Sequence, residues 1–264
     1  MVFRPSINPP SAFEPASFAL APKFPAVRFT SRAEFQSFLA EEQGLLEARA
    51  TYESAKASRE PAISQPGTCA PCLRVARFTS TLAGGERLKD GRYLPDWREA
   101  MQCDCRERLS SRQRALLHFV QAAGILPWSR LLLFGARCAA DARLAAMVQD
   151  IIAVRPGALM PEIEPVHMVV TADDLHLIPA LDATLAALQA RLVDGGRLIF
   201  TVPFDPEAPS SISPPAQSSG GQRLGWDLLE RLKAAGFRDS AAYLYWSEEF
   251  GYLGPSNFIF RAVK

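Results

Sequence analysis

Four of the five cysteines in this 264-residue chain fall into two close pairs, Cys69/Cys72 and Cys103/Cys105. A thiolate wants a soft or borderline partner, and two short-spaced pairs can close a tetrahedron around zinc. Cys69-Ala70-Pro71-Cys72 has the spacing of a common zinc knuckle, while Cys103-Asp104-Cys105 is tighter. The pairs lie about thirty residues apart, a workable ribbon separation. Two disulfides, or four unrelated thiols, are the rival readings. Zinc is preferred because the fifth cysteine, Cys138, stands alone and the first residues carry no export signature. Four thiolates leave no position open for water, so the expected metal is structural.

The elements that must hold these thiols are short. Residues 66–108 show little periodicity, and Gly84-Gly85 and Asp90-Gly91 mark turns. A helix opens at Ser31, with Glu34 spaced for a capping box, and Phe35, Phe38, Leu39, Leu45 and Leu46 give it an apolar face. A second helix opens near Ser110 and Ser111 and stops at Gly124, ahead of Pro127. On it, Arg112 and Arg114 could bind phosphate, but surface or salt-bridged positions fit better. His118 reads as a packing residue, and His167, at the start of a buried strand, as structural. Trp97 and Trp226 read as core anchors.

From Leu131 the grammar changes. Leu131–Phe134, Asp150–Val154, Val166–Val170 and Arg197–Phe204 read as strands, alternating with helices over 138–149, 177–192 and 226–237. A loop rich in Pro, Ser and Gly spans 205–222. Such alternation implies a parallel sheet covered on both faces. The last two strands, 241–246 and 257–263, have no helix between them and should form an antiparallel hairpin at the sheet edge. The expected fold is therefore α/β: a shortened, doubly wound, mostly parallel Rossmann-like sheet with an antiparallel hairpin. Residues 1–29 form a Pro-rich extended arm, 30–126 a helix plus a small zinc-binding subdomain, and 127–264 the sheet domain.

Net charge is +1 and 48% of residues are hydrophobic. A core is easily filled, and there is no electrostatic case for nucleic acid or an acidic membrane as partner. Only five of the 29 basic residues are lysine. No window has the length and apolarity of a membrane span. A soluble, cytoplasmic protein with reduced thiols is expected.

Several segments resemble class I S-adenosylmethionine-dependent methyltransferases. Leu192–Phe204 resembles the family's helix-to-strand turn, with Asp194 where proline is usual, and Gly225–Phe237 resembles the helix that follows. More specifically, Cys69–Cys72, then Tyr93–Cys103 with its Trp97-Arg98-Glu99, then Ser110–Phe119 resemble a bacterial branch. That branch carries an N-terminal cysteine knuckle and an Arg-Gln-Arg helix ahead of the catalytic sheet. Tyr243–Phe260 resembles the end of the same branch. The resemblance implies a cofactor over the C-terminal strand ends, contacted by Phe134, Gly135, Ala136 and Asp173. It implies an acceptor-side loop at 171–179, where Asp173, Asp174 and His176 could serve catalysis. Each has a blander role too: His176 as a helix-start histidine, the two aspartates as N-caps.

Four departures bear on activity. The cofactor turn, Phe134-Gly135-Ala136-Arg137-Cys138, has one glycine and no acid. Arg137 stands where the branch has glutamate; against the methionine ammonium of the cofactor at about 4 Å it would cost several kcal/mol. The acid that should end the second strand is missing: Asp150 sits at its other end, leaving Glu162 and Glu164 as near substitutes. Only about a dozen residues separate the strands ending at Val154 and starting at Val166, too few for a strand-helix-strand crossover. The 205–222 loop has no histidine. Three functions follow: a methyltransferase with a degraded pocket and a small-molecule or glycan acceptor, a pseudoenzyme that binds a protein partner, or, weakest, a zinc ribbon touching nucleic acid through Arg106, Arg108, Arg112 and Arg114. Zinc is the expected cofactor, and S-adenosylmethionine is expected to bind weakly or not at all.

Overall fold

The computed structural model describes residues 22–82, 84–136, 138–155, 162–212 and 221–264. Expectations for the first part of the arm, for Arg137 and for the middle of the 205–222 loop lie outside these residues.

A seven-stranded sheet organises the chain. In spatial order it runs β1 (Ala26–Phe29), β11 (Asp239–Tyr245), β12 (Phe258–Val263), β10 (Leu192–Thr201), β9 (Val166–Ala172), β7 (Arg130–Phe134) and β8 (Asp150–Val154). The last four are mutually parallel, while β12 runs against β10, β11 against β12 and β1 against β11. This is the mostly parallel α/β sheet with an antiparallel hairpin that the strand-helix alternation implied. Leu131–Leu133 pair in register with Met168–Val170 at its centre. Both runs are apolar because both faces of these strands are covered.

The sheet's edges hold the surprises. β1 comes from the arm and pairs outside β11, so the hairpin is itself covered. At the other side β8 is terminal, and the described residues between it and β9 hold no strand. Seven strands are thus reached by adding one at the hairpin side. Asp194 to Gly196, read as a helix-to-strand turn, lie inside β10, where the register with β9 shifts. Gly195 takes φ +75° there and donates to the Lys264 carbonyl.

Alternate residues of the strands feed two cores. Leu131, Met168, Val170, Ile199 and Ile259 face α3 (Ser111–Ala122) and the cysteine ribbon. Leu132, Val169, Leu198, Phe200 and Phe260 face α5 (Leu181–Ala190), α6 (Asp227–Ala234) and Phe35 of α1 (Arg32–Glu41). The ribbon therefore shares its apolar core with the sheet. Trp97 and Trp226 are both buried, one on each side.

The expected first helix is two, α1 and α2 (Gln43–Ala55), parted at Glu42. Ser31 caps α1 by accepting the Glu34 N–H, but the Glu34 carboxylate takes the Thr30 N–H and hydroxyl, not the reciprocal bond. Ser110 and Gln113 make the full capping box, at the start of α3. The stretch without visible periodicity contains a long hairpin, β2 (Ala62–Cys69) with β3 (Arg74–Thr81), and β6 (Met101–Cys103) adds to β3. β4 (Glu86–Arg87) and β5 (Tyr93–Leu94) form a separate small ladder. The helix after β7 is short, α4 (Asp141–Met147).

Candidate functional site

The hairpin turn and β6 bring three cysteines together. Cys69 ends β2, the Ala70–Cys72 3-10 turn follows, and Leu73 closes it at φ +51° with its N–H on the Ala70 carbonyl. Cys103 arrives opposite Phe78 on β3. The Sγ atoms of Cys69, Cys72 and Cys103 all lie within 4.8 Å of one another. Cys105 is buried nearby but outside that mutual set. Cys69 is pushed up to about 11, first by its hydrogen bond with Cys103 and then by burial. For Cys72 the bond with Cys103 lowers the value, but the bond with Cys69 and burial outweigh it, to about 12. Cys103 mirrors this, lowered by Cys69 and raised by Cys72 and burial, also to about 12. Ionising one thiol penalises the next, and only a cation in their midst makes several thiolates compatible. A largely buried all-sulfur donor set, with Cys72 partly exposed, fits zinc or a similar borderline cation, with Cys105 as the candidate fourth ligand. Cys138 stands apart, with its thiol on Asp141 Oδ1 at 3.1 Å.

The second constellation lies where the strand order reverses, at the C-terminal ends of β7 and β9. Such switch points are where open α/β sheets bind ligands. Asp173, in the left-handed region at φ +58°, donates its N–H to the Thr201 carbonyl. Its carboxylate accepts from Arg98 Nη2 at 2.9 Å through both oxygens and lies 3.2 Å from Arg112 Nε. Glu99 completes the network, accepting from Arg112 at 2.5 and 3.1 Å. The Trp-Arg-Glu stretch and the Arg-Gln-Arg helix thus converge on Asp173. That gives Arg112 the salt-bridged role expected of it.

Asp174 goes elsewhere. It is 6% exposed, and its Oδ1 accepts the Ala136 N–H at 3.1 Å. A Cβ on Gly135, where φ is +144°, would stand 2.0 Å from Asp174 Oδ2. The carboxylate is pressed into the turn after β7, against the backbone that a ligand would otherwise approach. Burial pushes its carboxyl above the usual range, opposed by the Ala136 bond. Asp174 precedes the Leu175–Leu177 3-10 turn without capping it.

His176 sits half-buried beneath Gly221. A Cβ there would be 2.2 Å from the His176 Cδ2, and Gln222 donates its N–H to the His176 carbonyl at 2.7 Å. Its Nδ1 is buried with no partner among the described residues. Burial lowers its pKa, against the pull of Asp173 and Asp174. Phe134 is buried in the core of the α5 face.

Other sequence expectations need correction. Glu164 does not substitute for the missing acid: it pairs with Arg130, as does Asp150, at the opposite end of the sheet. Arg114, read as a surface or salt-bridged residue, is fully buried and donates to the carbonyls of Phe250 and Gly251. With Arg112 also engaged, two of the four arginines offered to nucleic acid are spoken for. His167 is exposed and accepts the Arg130 N–H through Nδ1. His118 is buried, between the Tyr252 hydroxyl at 3.3 Å and the Pro22 carbonyl at 2.7 Å. No described helix is long and apolar enough to cross a membrane.

No family model matches the chain, and no curated protein does. Solved structures give distant likenesses. A SAM-dependent methyltransferase from Mesorhizobium loti is 12% identical, with a TM-score of 0.41 over 53% of this chain and 92% of that one. One from Thermotoga maritima is 12% identical, with 0.37 over 58% and 88%. The [4+2]-cyclase SpnF is 17% identical, with 0.40 over 61% and 84%. At such identities and scores these likenesses carry no argument about chemistry. The order and direction of this chain's own strands make it an α/β, Rossmann-like sheet.

Proposed function

We propose that this chain is a methyltransferase-like scaffold of the class I S-adenosylmethionine-dependent kind, from the branch with a cysteine knuckle. Its cofactor cradle is closed, and it acts by binding a protein partner instead of transferring methyl groups. One observation carries the reading: Asp174 occupies the Gly135–Ala136 turn and uses the amide a cofactor would need. The described end of β8 supports it, since Arg155 and no acid follows Val154. Charged ligand contacts are worth about 1.5–3 kcal/mol each, so losing two takes a micromolar site to about 0.1–10 mM. The knuckle would hold one structural zinc through Cys69, Cys72, Cys103 and Cys105, adding folding energy to the ribbon.

A second reading keeps catalysis. Among the described residues His176 has an unpartnered Nδ1, beside Asp173 and Asp174, as a base for a small-molecule or glycan acceptor would need. Calorimetric titration of the metal-loaded protein with S-adenosylmethionine and S-adenosylhomocysteine separates the two. The scaffold reading expects no saturable binding in the micromolar range. A dissociation constant below about ten micromolar would show that Asp174 yields the cradle, and would restore the enzyme.

A further inference from the structure

Arg114 lies at the centre of α3, fully buried, yet no carboxylate pairs with it among the described residues. Its Nη1 and Nη2 donate to the Phe250 and Gly251 carbonyls at 2.9 and 3.2 Å. Its guanidinium carbon stands 3.8 Å from the centre of the Phe78 ring, and its Nε has no partner among the described residues. Carbonyls and a ring face solvate a cation in part but do not neutralise it, and a buried charge without a counter-charge is costly. Phe78, whose ring the guanidinium covers, lies opposite Cys103 in the β3–β6 ladder, and Cys69 is buried in the same core. Among the groups near Arg114 able to carry negative charge are Tyr252, Cys69, Cys103 and Cys105. Burial holds the Tyr252 hydroxyl far above its ordinary range, so it stays neutral, and of these the thiols are left. The rim arginines differ: Arg143 reaches Cys72 Sγ at 3.8 Å but pairs with Glu107, and Arg74 pairs with Asp104.

We propose that Arg114 is the counter-charge of a metal–thiolate centre at Cys69, Cys72, Cys103 and Cys105, which takes a borderline divalent cation as a net-anionic complex and, when loaded, fixes the 247–254 turn through Arg114. This rests on the metal reading above and adds its charge state and its reach. A divalent ion with three thiolates is a monoanion and with four a dianion, so either count supplies the missing negative charge. Each thiol gives its proton to solvent as its sulfur–metal bond forms. The turn is laced to the same place: Ser111 Oγ donates to the Gly251 carbonyl, Thr68 N–H to the Glu249 carbonyl, and a Cβ on Gly251 would meet the Phe78 ring at 2.6 Å. Arg114 is thus a positioning residue between the sulfur cluster and the β11–β12 connection.

The test titrates the full-length protein, stripped by a chelator, with zinc in competition with a chromophoric chelator, for wild type, Arg114→Met and Arg114→Lys. Hydrogen exchange over 247–254 is followed with and without zinc. Arg114→Met should weaken zinc binding about 10- to 100-fold, the usual effect of removing a group that supports a metal's ligands. Arg114→Lys, which keeps the charge but not the paired carbonyl bonds, should recover most of that loss. Zinc should slow exchange in the turn of the wild type. Wild type that binds no zinc overturns the metal reading itself. Tight wild-type binding with Arg114→Met within about threefold overturns the counter-charge and leaves the metal standing. Arg114→Lys as weak as Arg114→Met would make the role one of hydrogen bonding and overturn it too. Unchanged exchange in the wild-type turn overturns the coupling, whatever the variants do.

Discussion

In the cysteine ribbon, a hairpin turn and a three-residue strand bring three thiols within 4.8 Å of one another. At the β7–β9 crevice, two strand-end turns approach as closely, but what they bring together is a carboxylate and the amide it consumes. Asp173, at the crevice, is tied by the Arg98–Glu99–Arg112 network to α3, which packs in the same core as the ribbon. In the ribbon the donors are clustered thiols; in the crevice the carboxylate already has a backbone partner. A parallel sheet provides a crevice wherever strand order reverses, but the side chains around it decide whether anything enters.

The sharpest way to break this contrast is to remove a thiol. Cys69→Ser should destabilise the protein by about 3 kcal/mol or more, because it loses the metal's folding energy and buries an unmatched hydroxyl. Cys138→Ser should cost under about 1 kcal/mol, since serine keeps the hydrogen bond to Asp141. Urea unfolding of both in excess zinc measures the gap; equal losses would mean that Cys69 serves no metal.

The bridge between the regions comes next. Asp173→Asn tolerates the left-handed backbone but strips the charge that Arg98 and Arg112 share, and should cost about 1.5–3 kcal/mol. The same unfolding curves read it. A loss near zero would mean that the network is surface decoration.

The smallest effect tests the crevice. Burial raises the Asp174 carboxyl above 3.8, so the folded state holds that proton more tightly than the unfolded chain. Stability from this group is present below that value and lost as pH rises through the raised one. Asp174→Asn can still accept the Ala136 N–H and never ionises. Its stability relative to wild type should therefore improve from pH 4 to pH 7, by under about 1 kcal/mol. A relative decline would show that the charged carboxylate is what the turn requires.

Much of this could be read from the chain. The strands at Leu131–Phe134 and Val166–Val170 announce themselves because, His167 apart, they are apolar and largely buried, while the terminal strand Asp150–Val154 is only half-buried and shows through its Ile151–Val154 run. The cysteine spacing places three thiols in one cluster. The β2–β3 hairpin escaped because Gln65, Pro66 and Gly67 interrupt one strand and Ser80 takes a buried place in the other, so alternation is blurred. Still, Ala76, Phe78 and Ser80 do alternate with more exposed neighbours. Arg114 escaped because a charged residue in a helix reads as solvated; only its apolar flanks, Ala115 to Leu117, hinted at burial. Asp174 in the Ala136 turn is a contact across 38 residues, and no local pattern encodes it.

β1 has a consequence for how the molecule is made. Arg28 and Asp239, side-chain partners at the seam between β1 and β11, are 211 residues apart in sequence. Closing a loop of that length is slow, so this seam should form late in folding. Until it does, the outer edge of β11 is an unpaired row of N–H and C=O groups, open to mispairing with another strand.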